Sequence, residues 1–135
     1  MTGGSGLVVV NSSASWGGNE HWAVRLARGF ADRGRPVGFV WSHEVVGERV
    51  AAAGLPGCRI RLGGDADLRA ILALRDAMVR WRAGAVLLTR WREYLLGGLA
   101  ARLAGRPRVV MGLGLRVTPR DDLKRRLIFR LADRV

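Results

Sequence analysis

Leu7-Val8-Val9-Val10-Asn11-Ser12-Ser13-Ala14-Ser15-Trp16-Gly17-Gly18-Asn19-Glu20 runs from an apolar block, through a turn of small residues, into an amphipathic stretch. Four consecutive apolar residues suit a strand covered on both faces, as in a parallel sheet. Ser12 to Gly18 reads as a tight, glycine-rich turn. From Asn19 the period becomes helical: Trp22, Ala23, Leu26, Ala27 and Phe30 fall on one face, and Glu20, Arg25, Arg28 and Asp32 on the other. Asn19 is expected to cap this helix, Glu20 to favour the positive end of its dipole, and Gly34 before Pro36 to stop it. The unit is strand, tight turn and helix.

It then repeats. Val37 to Trp41 reads as a second buried strand, and Glu44 to Ala53 as a short helix ended by Gly54 and Pro56. Cys58-Arg59-Ile60-Arg61-Leu62 alternates apolar and charged residues, which suits a strand nearer the sheet edge. Asp67 to Arg82 is helical, with Leu68, Ile71, Leu72, Arg75, Met78 and Val79 along one side. Ala85 to Leu88 is a further buried strand. Tyr94 to Leu103 is a helix in which Gly97-Gly98 would permit close packing at some cost in helix stability. Val109 to Met111 is the fifth strand. A last helix starts near Asp121, with Leu123, Leu127, Ile128 and Leu131 inward and Lys124, Arg125 and Arg130 outward. Strand and helix alternate throughout, so the fold class is α/β with a mostly parallel sheet flanked by helices and with Leu7–Val10 central.

Length and composition agree with one such domain, 1–135. Hydrophobic residues at 49% and charged residues at 25% argue against disorder. No uncharged apolar run reaches the ~18 residues of a membrane-spanning helix. Met1 to Gly6 lacks the basic flank and apolar core of a secretory signal, so a cytoplasmic location is expected. Cys58 is the single cysteine and has no ligand-type neighbours at metal spacing. The net charge of +12 comes from 23 basic residues, of which Lys124 alone is lysine. Such arginine bias, beside abundant alanine and glycine, is also what a GC-rich coding sequence gives. The charge itself still attracts phosphate-rich partners, whether nucleic acid, anionic lipid or nucleotide.

In parallel α/β sheets ligands bind beyond the carboxyl ends of the strands. The loops to inspect are therefore Ser12 to Asn19, Ser42 to Glu44, Thr89 to Glu93 and Gly112 to Pro119. In the first, Gly17 and Gly18 let a ligand approach the backbone, and the helix start offers N–H groups to a phosphate. A plain chain reversal would use the same residues. The spacing is not G-x-G-x-x-G and no G-x-x-x-x-G-K-[ST] loop exists, which argues against a nicotinamide oxidoreductase and a P-loop nucleotidase.

The Gly17-Gly18-Asn19-Glu20 turn after a valine-rich strand, with a helix leading to Arg33-Gly34-Arg35-Pro36-Val37, resembles the start of family-4 glycosyltransferases. The segment from Arg92-Glu93-Tyr94-Leu95-Leu96-Gly97-Gly98 to Gly105-Arg106-Pro107 is similar to the same family, as are Gly114-Leu115-Arg116 and the terminal Leu131-Ala132-Asp133-Arg134-Val135. The resemblance spans essentially the whole chain but only the amino-terminal half of such an enzyme. It implies a Rossmann-like domain of the GT-B fold, truncated before the donor-binding domain, and a helix ending at Val135 fits that expectation. It implies transfer of a sugar from a nucleotide-sugar donor to a glycan or lipid-linked acceptor in cell-envelope polysaccharide synthesis, with no activity from this half alone. No cofactor beyond the nucleotide-sugar substrate, and no metal, is expected. The donor diphosphate would approach Gly17, Gly18, Asn19 and Glu20. The family often carries a histidine after the fifth strand, where this chain has Gly112-Leu113-Gly114-Leu115, so no catalytic residue is assigned.

The other loops supply acceptor-side candidates. Arg90 and Arg92 flank Trp91 and suit a phosphate or sugar carboxylate. Arg116 follows the fifth strand, and Trp16 and Trp91 offer rings for a sugar to stack on. Glu93 reads as a helix-start residue rather than a general base, and His21 and His43 as surface residues. An anionic membrane surface is an expected partner through the basic face of the last helix. The alternative is a non-catalytic basic module for nucleic acid or another polyanion. Against it, the arginines are dispersed, few aromatics interleave them and no recognition-helix or RNA-binding signature is present.

Overall fold

The computed structural model describes residues 6–63, 67–105 and 107–111, with the backbone alone for Trp91 and Arg92. Within these, strand and helix alternate as β1 (Gly6–Asn11), α1 (Gly18–Asp32), β2 (Val37–Trp41), α2 (Glu44–Ala52), β3 (Gly57–Arg59), α3 (Leu68–Arg80), β4 (Ala83–Leu88), α4 (Trp91–Leu103) and β5 (Arg108–Met111). All pairings are parallel, in the order β3-β2-β1-β4-β5. The valine block is central, and the alternating Cys58–Leu62 stretch supplies the edge. Only Gly57–Arg59 is strand there, although Ile60 and Leu62 beyond it are still buried.

Side-chain alternation along β1 feeds two cores. Leu7 and Val9 pack with Phe39, Ala23, Ala27, Val46 and Val50 against α1 and α2. Val8 and Val10 pack with Leu74, Met78, Leu96 and Ala100 against α3 and α4. All four block residues are at most 3% exposed, and each contributes roughly 1.5–3 kcal/mol of apolar burial. Polar side chains at these positions would cost the sheet its centre.

Two helices bury stripes rotated from those read by period alone. In α1 Ala23 and Ala27 are buried and Leu26 and Phe30 pack partly against the same core, as expected, but Glu20 and Val24 join the buried stripe and Trp22 stands half exposed. In α3 the inward residues are Ala70, Ile71, Leu74, Ala77 and Met78, and Leu68, Leu72 and Val79 face outward. Contact with α4 turns the helix toward its alanines. The start of α1 also differs: Gly17, in extended conformation, is the N-cap, and Asn19 lies inside the first turn. The helix does stop where expected, with Gly34 in the left-handed region at φ 74°.

α4 is buried along most of its length, which explains its glycines. A Cβ on Gly97 would lie 2.5 Å from Leu88 Cδ2 in β4, so the missing side chain sets how close α4 comes to the sheet. Gly29 on α1 meets nothing within 4 Å. Gly97→Val is therefore expected to lose about 1–3 kcal/mol through overpacking, and Gly29→Ala to gain about 0.5–1 kcal/mol. Urea unfolding of both variants checks this pair; equal stability of Gly97→Val and wild type would exclude the close α4–β4 approach.

Candidate functional site

The strand order reverses direction at β1: the chain leaves toward β2 and β3, then crosses back to β4. Loops after β1 and β4 thus diverge and leave a crevice at the carboxyl edge of the sheet. Gly17, Gly18, Asn19, Glu20 and Arg90 all gather at it. Sequence reading placed them on two separate loops; the parallel β1–β4 pairing brings the loops together.

Four contacts fix the two loops to each other. The Glu93 carboxylate, fully buried, accepts N–H groups of Ser12, Thr89 (3.0 Å) and Arg90 (3.3 Å). Thr89 Oγ1 donates to the Val10 carbonyl at 2.8 Å. Asn19 Nδ2 donates to the Thr89 carbonyl at 2.9 Å, which is its role in place of capping. Arg90 Nη1 reaches Glu20 Oε1 at 3.0 Å. Glu93 is thus a helix-start residue as read from the sequence, and it also spans 81 residues of chain to hold the β1 loop. The signal that could have revealed this is its third position in α4, from which a carboxylate reaches back to the N–H groups at the helix start.

Glu20 and Arg90 form an asymmetric pair, the glutamate side chain 4% and the arginine 46% exposed. Burial would raise the Glu20 carboxyl, but its own backbone N–H, the Ser13 hydroxyl and the Arg90 guanidinium together hold it below the ordinary carboxylate value. Glu20 is charged and compensated from within, while the outer part of the guanidinium remains open to a ligand.

Gly17 and Gly18 are both exposed at the crevice. Neither glycine adopts positive φ, so the backbone does not demand them. A Cβ on Gly18 meets nothing within 4 Å, and one on Gly17 meets only Glu20 Oε2 at 3.4 Å. No side chain caps α1 at Gly17, which leaves first-turn N–H groups facing outward from a 15-residue helix. The space over the turn is open, and its lining is backbone.

Trp16 sits beside the crevice, half buried against the α1–α2 core. The Arg49 guanidinium lies 5.1 Å over its ring and His21 meets it edge-on at 6.3 Å. One ring face is therefore covered by α2. Arg92 is in the first turn of α4 with its side chain outside the described residues, as is that of Trp91; Arg116 and the Gly112–Pro119 loop lie outside them altogether. Beside the crevice, a cavity of about 400 Å³ opens over the ends of β1, β2 and β3, lined by Ser12, His43, Arg59 and Arg61 among others. Arg59 and Arg61 were read only as an edge-strand pattern; nothing in the sequence alone shows that the edge strand ends at a cavity. Among the described residues no cluster of His, Cys, Asp or Glu could hold a metal ion, and no helix is long and apolar enough to cross a membrane.

No protein-family model and no curated protein sequence matches the chain. Solved structures do. HepE of Anabaena, determined in complex with UDP-glucose, superposes with a TM-score of 0.71 at 13% identity over 93% of this chain and 34% of its own. MurG of Acinetobacter baumannii gives 0.69 at 17% identity over 95% of this chain and 39% of its own. The chain has the fold of one half of a GT-B glycosyltransferase. It spans about a third of the length of these two structures. A putative oxidoreductase from Escherichia coli K-12 is a looser match, at a TM-score of 0.54 and 15% identity over 93% of this chain and 65% of its own. At such identities the likeness is one of fold, and the GT-B half shares its Rossmann-like plan with other chemistries.

Burial, the largest influence, pushes the Glu93 carboxyl up from 4.5 to about 7, against the N–H groups of Ser12, Thr89 and Arg90 that favour its charge. Between those values the folded chain retains a proton that the unfolded chain has released. Stability is therefore expected to fall as pH rises from 4.5 to about 7, by up to about 3 kcal/mol. Glu93→Gln should be less stable than wild type at pH near 5, since an amide cannot accept from both loops, and its stability should vary less with pH. Urea midpoints across that range decide: an unchanged pH slope in the variant would exclude Glu93 as its source.

Proposed function

We propose that this chain is the amino-terminal, acceptor-side domain of a family-4-type glycosyltransferase acting on cell-envelope glycans. The observation that carries the reading is the uncapped, side-chain-free start of α1 at the switch point, in a fold that HepE, crystallised with UDP-glucose, shares over 93% of the chain. Backbone N–H groups at Gly18 and Asn19, with the helix dipole behind them, suit the diphosphate of a nucleotide sugar.

The chemistry follows from that placement. The oxygen of an acceptor hydroxyl bonds to the anomeric carbon as the carbon–oxygen bond to the diphosphate breaks; negative charge grows on the leaving diphosphate, and the hydroxyl proton passes to that leaving group or to solvent. Donors fixed in advance at the α1 start, with the open part of the Arg90 guanidinium, oppose that charge without reorganising. The described residues contain no nucleophile–base set that would complete catalysis. The nucleotide and sugar are held by a second α/β domain, whether fused or on a partner subunit. Acceptors of this class include lipid-linked glycans, and the basic residues Lys124, Arg125 and Arg130, outside the described residues, would favour an anionic membrane surface on the cytoplasmic side.

Two outcomes test this. The chain by itself is expected to transfer no sugar from any common nucleotide sugar, and a donor-binding half, added as a fusion or a partner, to bring turnover. Robust transfer by the chain alone would overturn the division of labour. In the two-domain enzyme, Gly18→Val should cut turnover on the order of a hundredfold, because it fills the diphosphate approach. Its melting temperature should stay near that of wild type, since the added atoms meet open space. Early melting with normal turnover per folded molecule would show instead that Gly18 serves only the fold.

A further inference from the structure

The edge-strand alternation has a second consequence. Ile60 and Leu62 are buried in the α3–α4 core, so Arg59 and Arg61, at alternate positions, project to the other side. There they line the cavity over the ends of β1 to β3 together with His43 and Ser12. The cavity wall is held by main-chain ties: Ile60 N donates to the Trp41 carbonyl at 2.8 Å, and Ser42 Oγ donates to the Ile60 carbonyl at 2.8 Å. Arg59 is aimed by its own Nε, which donates to the Ser42 carbonyl at 3.0 Å.

Among the described residues, charge at the cavity is unbalanced. Glu44 Oε1 approaches Arg59 Nη1 at 3.7 Å, a weak and exposed contact. Among the described residues, Arg61 has no carboxylate partner. Asp67, the next acid among the described residues, spends its carboxylate on the N–H groups of Gly63 and Ala70. Two guanidinium groups, Arg59 at the end of β3 and Arg61 just beyond it, line the cavity together with His43, so its donors come from separate side chains rather than one planar fork. That geometry suits a tetrahedral dianion better than a flat carboxylate.

We propose that this cavity binds a phosphoryl group carried by the acceptor, as a phosphate monoester or the diphosphate of a lipid carrier. The assignment to the acceptor rests on the glycosyltransferase reading, in which the donor diphosphate occupies the separate α1 start. Arg61 is the principal ligand, Arg59 the second, and Glu44 weakens the site by competing for Arg59.

Calorimetric titration of the chain with methyl phosphate, with pyrophosphate and with glucuronate at about 0.15 M salt tests the site without any donor. Both phosphates should bind saturably and glucuronate much more weakly. Arg61→Gln should weaken phosphate binding roughly tenfold, and Glu44→Gln should tighten it by releasing Arg59. Arg35→Gln, just before the amino end of β2 and so at the other end of the strands, and Glu48→Gln, further along α2, make the same charge changes and should leave binding unchanged. Absence of saturable binding, or an equal loss in Arg35→Gln, overturns the site. Glucuronate binding as tightly as methyl phosphate overturns the phosphoryl assignment. In the two-domain enzyme Arg61→Gln should raise KM for a phosphorylated acceptor and not for its neutral analogue; equal effects on both would remove the acceptor from the proposal. Phosphate binding that depends on Arg61, in a chain that supports no transfer with any donor half, would instead fell the glycosyltransferase reading and leave the cavity in place.

Discussion

A single carboxylate holds the working edge of this domain together. Glu93 lies fully buried in the first turn of α4 and accepts N–H groups from its own helix start and from Ser12 at the end of β1. Burying a carboxyl is costly unless every lone pair finds a donor. Here donors come from two loops that are distant in sequence, so the carboxyl is satisfied only when β1 and β4 are paired in register. The crevice then has a defined width, and the Gly17–Gly18 turn a defined position over it. Without that tie the switch point would be a gap between two independently moving loops.

Around this tie the domain sorts its charges by depth. Glu20 is buried and compensated by backbone, hydroxyl and guanidinium. Its partner Arg90 reaches from the solvent, so the pair closes the crevice floor while leaving positive charge at its mouth. On the other side of β1, Arg59 and Arg61 stand at the cavity with, among the described residues, Glu44 alone opposed to them. The net charge of +12 is therefore not only a diffuse property of the surface. Part of it is placed at the carboxyl ends of the strands, where the helix N-termini already favour anions.

The glycines show how the same residue serves opposite needs. Gly97 lies under α4, where a side chain would collide with Leu88, and its absence sets the packing distance between helix and sheet. Gly18 lies in open space, where a side chain would collide with nothing in the chain itself. The fold itself therefore does not require a bare backbone at Gly18, which lies where the strand order reverses.

Local sequence was enough to determine the order of elements from β1 to β5, the centrality of Leu7–Val10 and the edge character of Cys58–Leu62; the helix expected from Asp121 lies outside the described residues. These follow from apolar runs and alternation, which depend only on how many faces a strand must cover. Gly17 and Gly18 were also legible as a backbone-lined turn. What period alone misjudged were Trp22 on α1 and the inward face of α3, because a helix can rotate toward whichever stripe its neighbours fit, and small residues such as Ala70 and Ala77 are buried where Leu68 and Leu72 are exposed. The joining of Asn19 to Thr89, Glu20 to Arg90 and Ser12 to Glu93, and the placing of Arg59 and Arg61 at a cavity, belonged to the tertiary structure. Each pairs groups on separate loops or strands, and only the folding of β4 against β1 and of β3 against β2 brings them within reach.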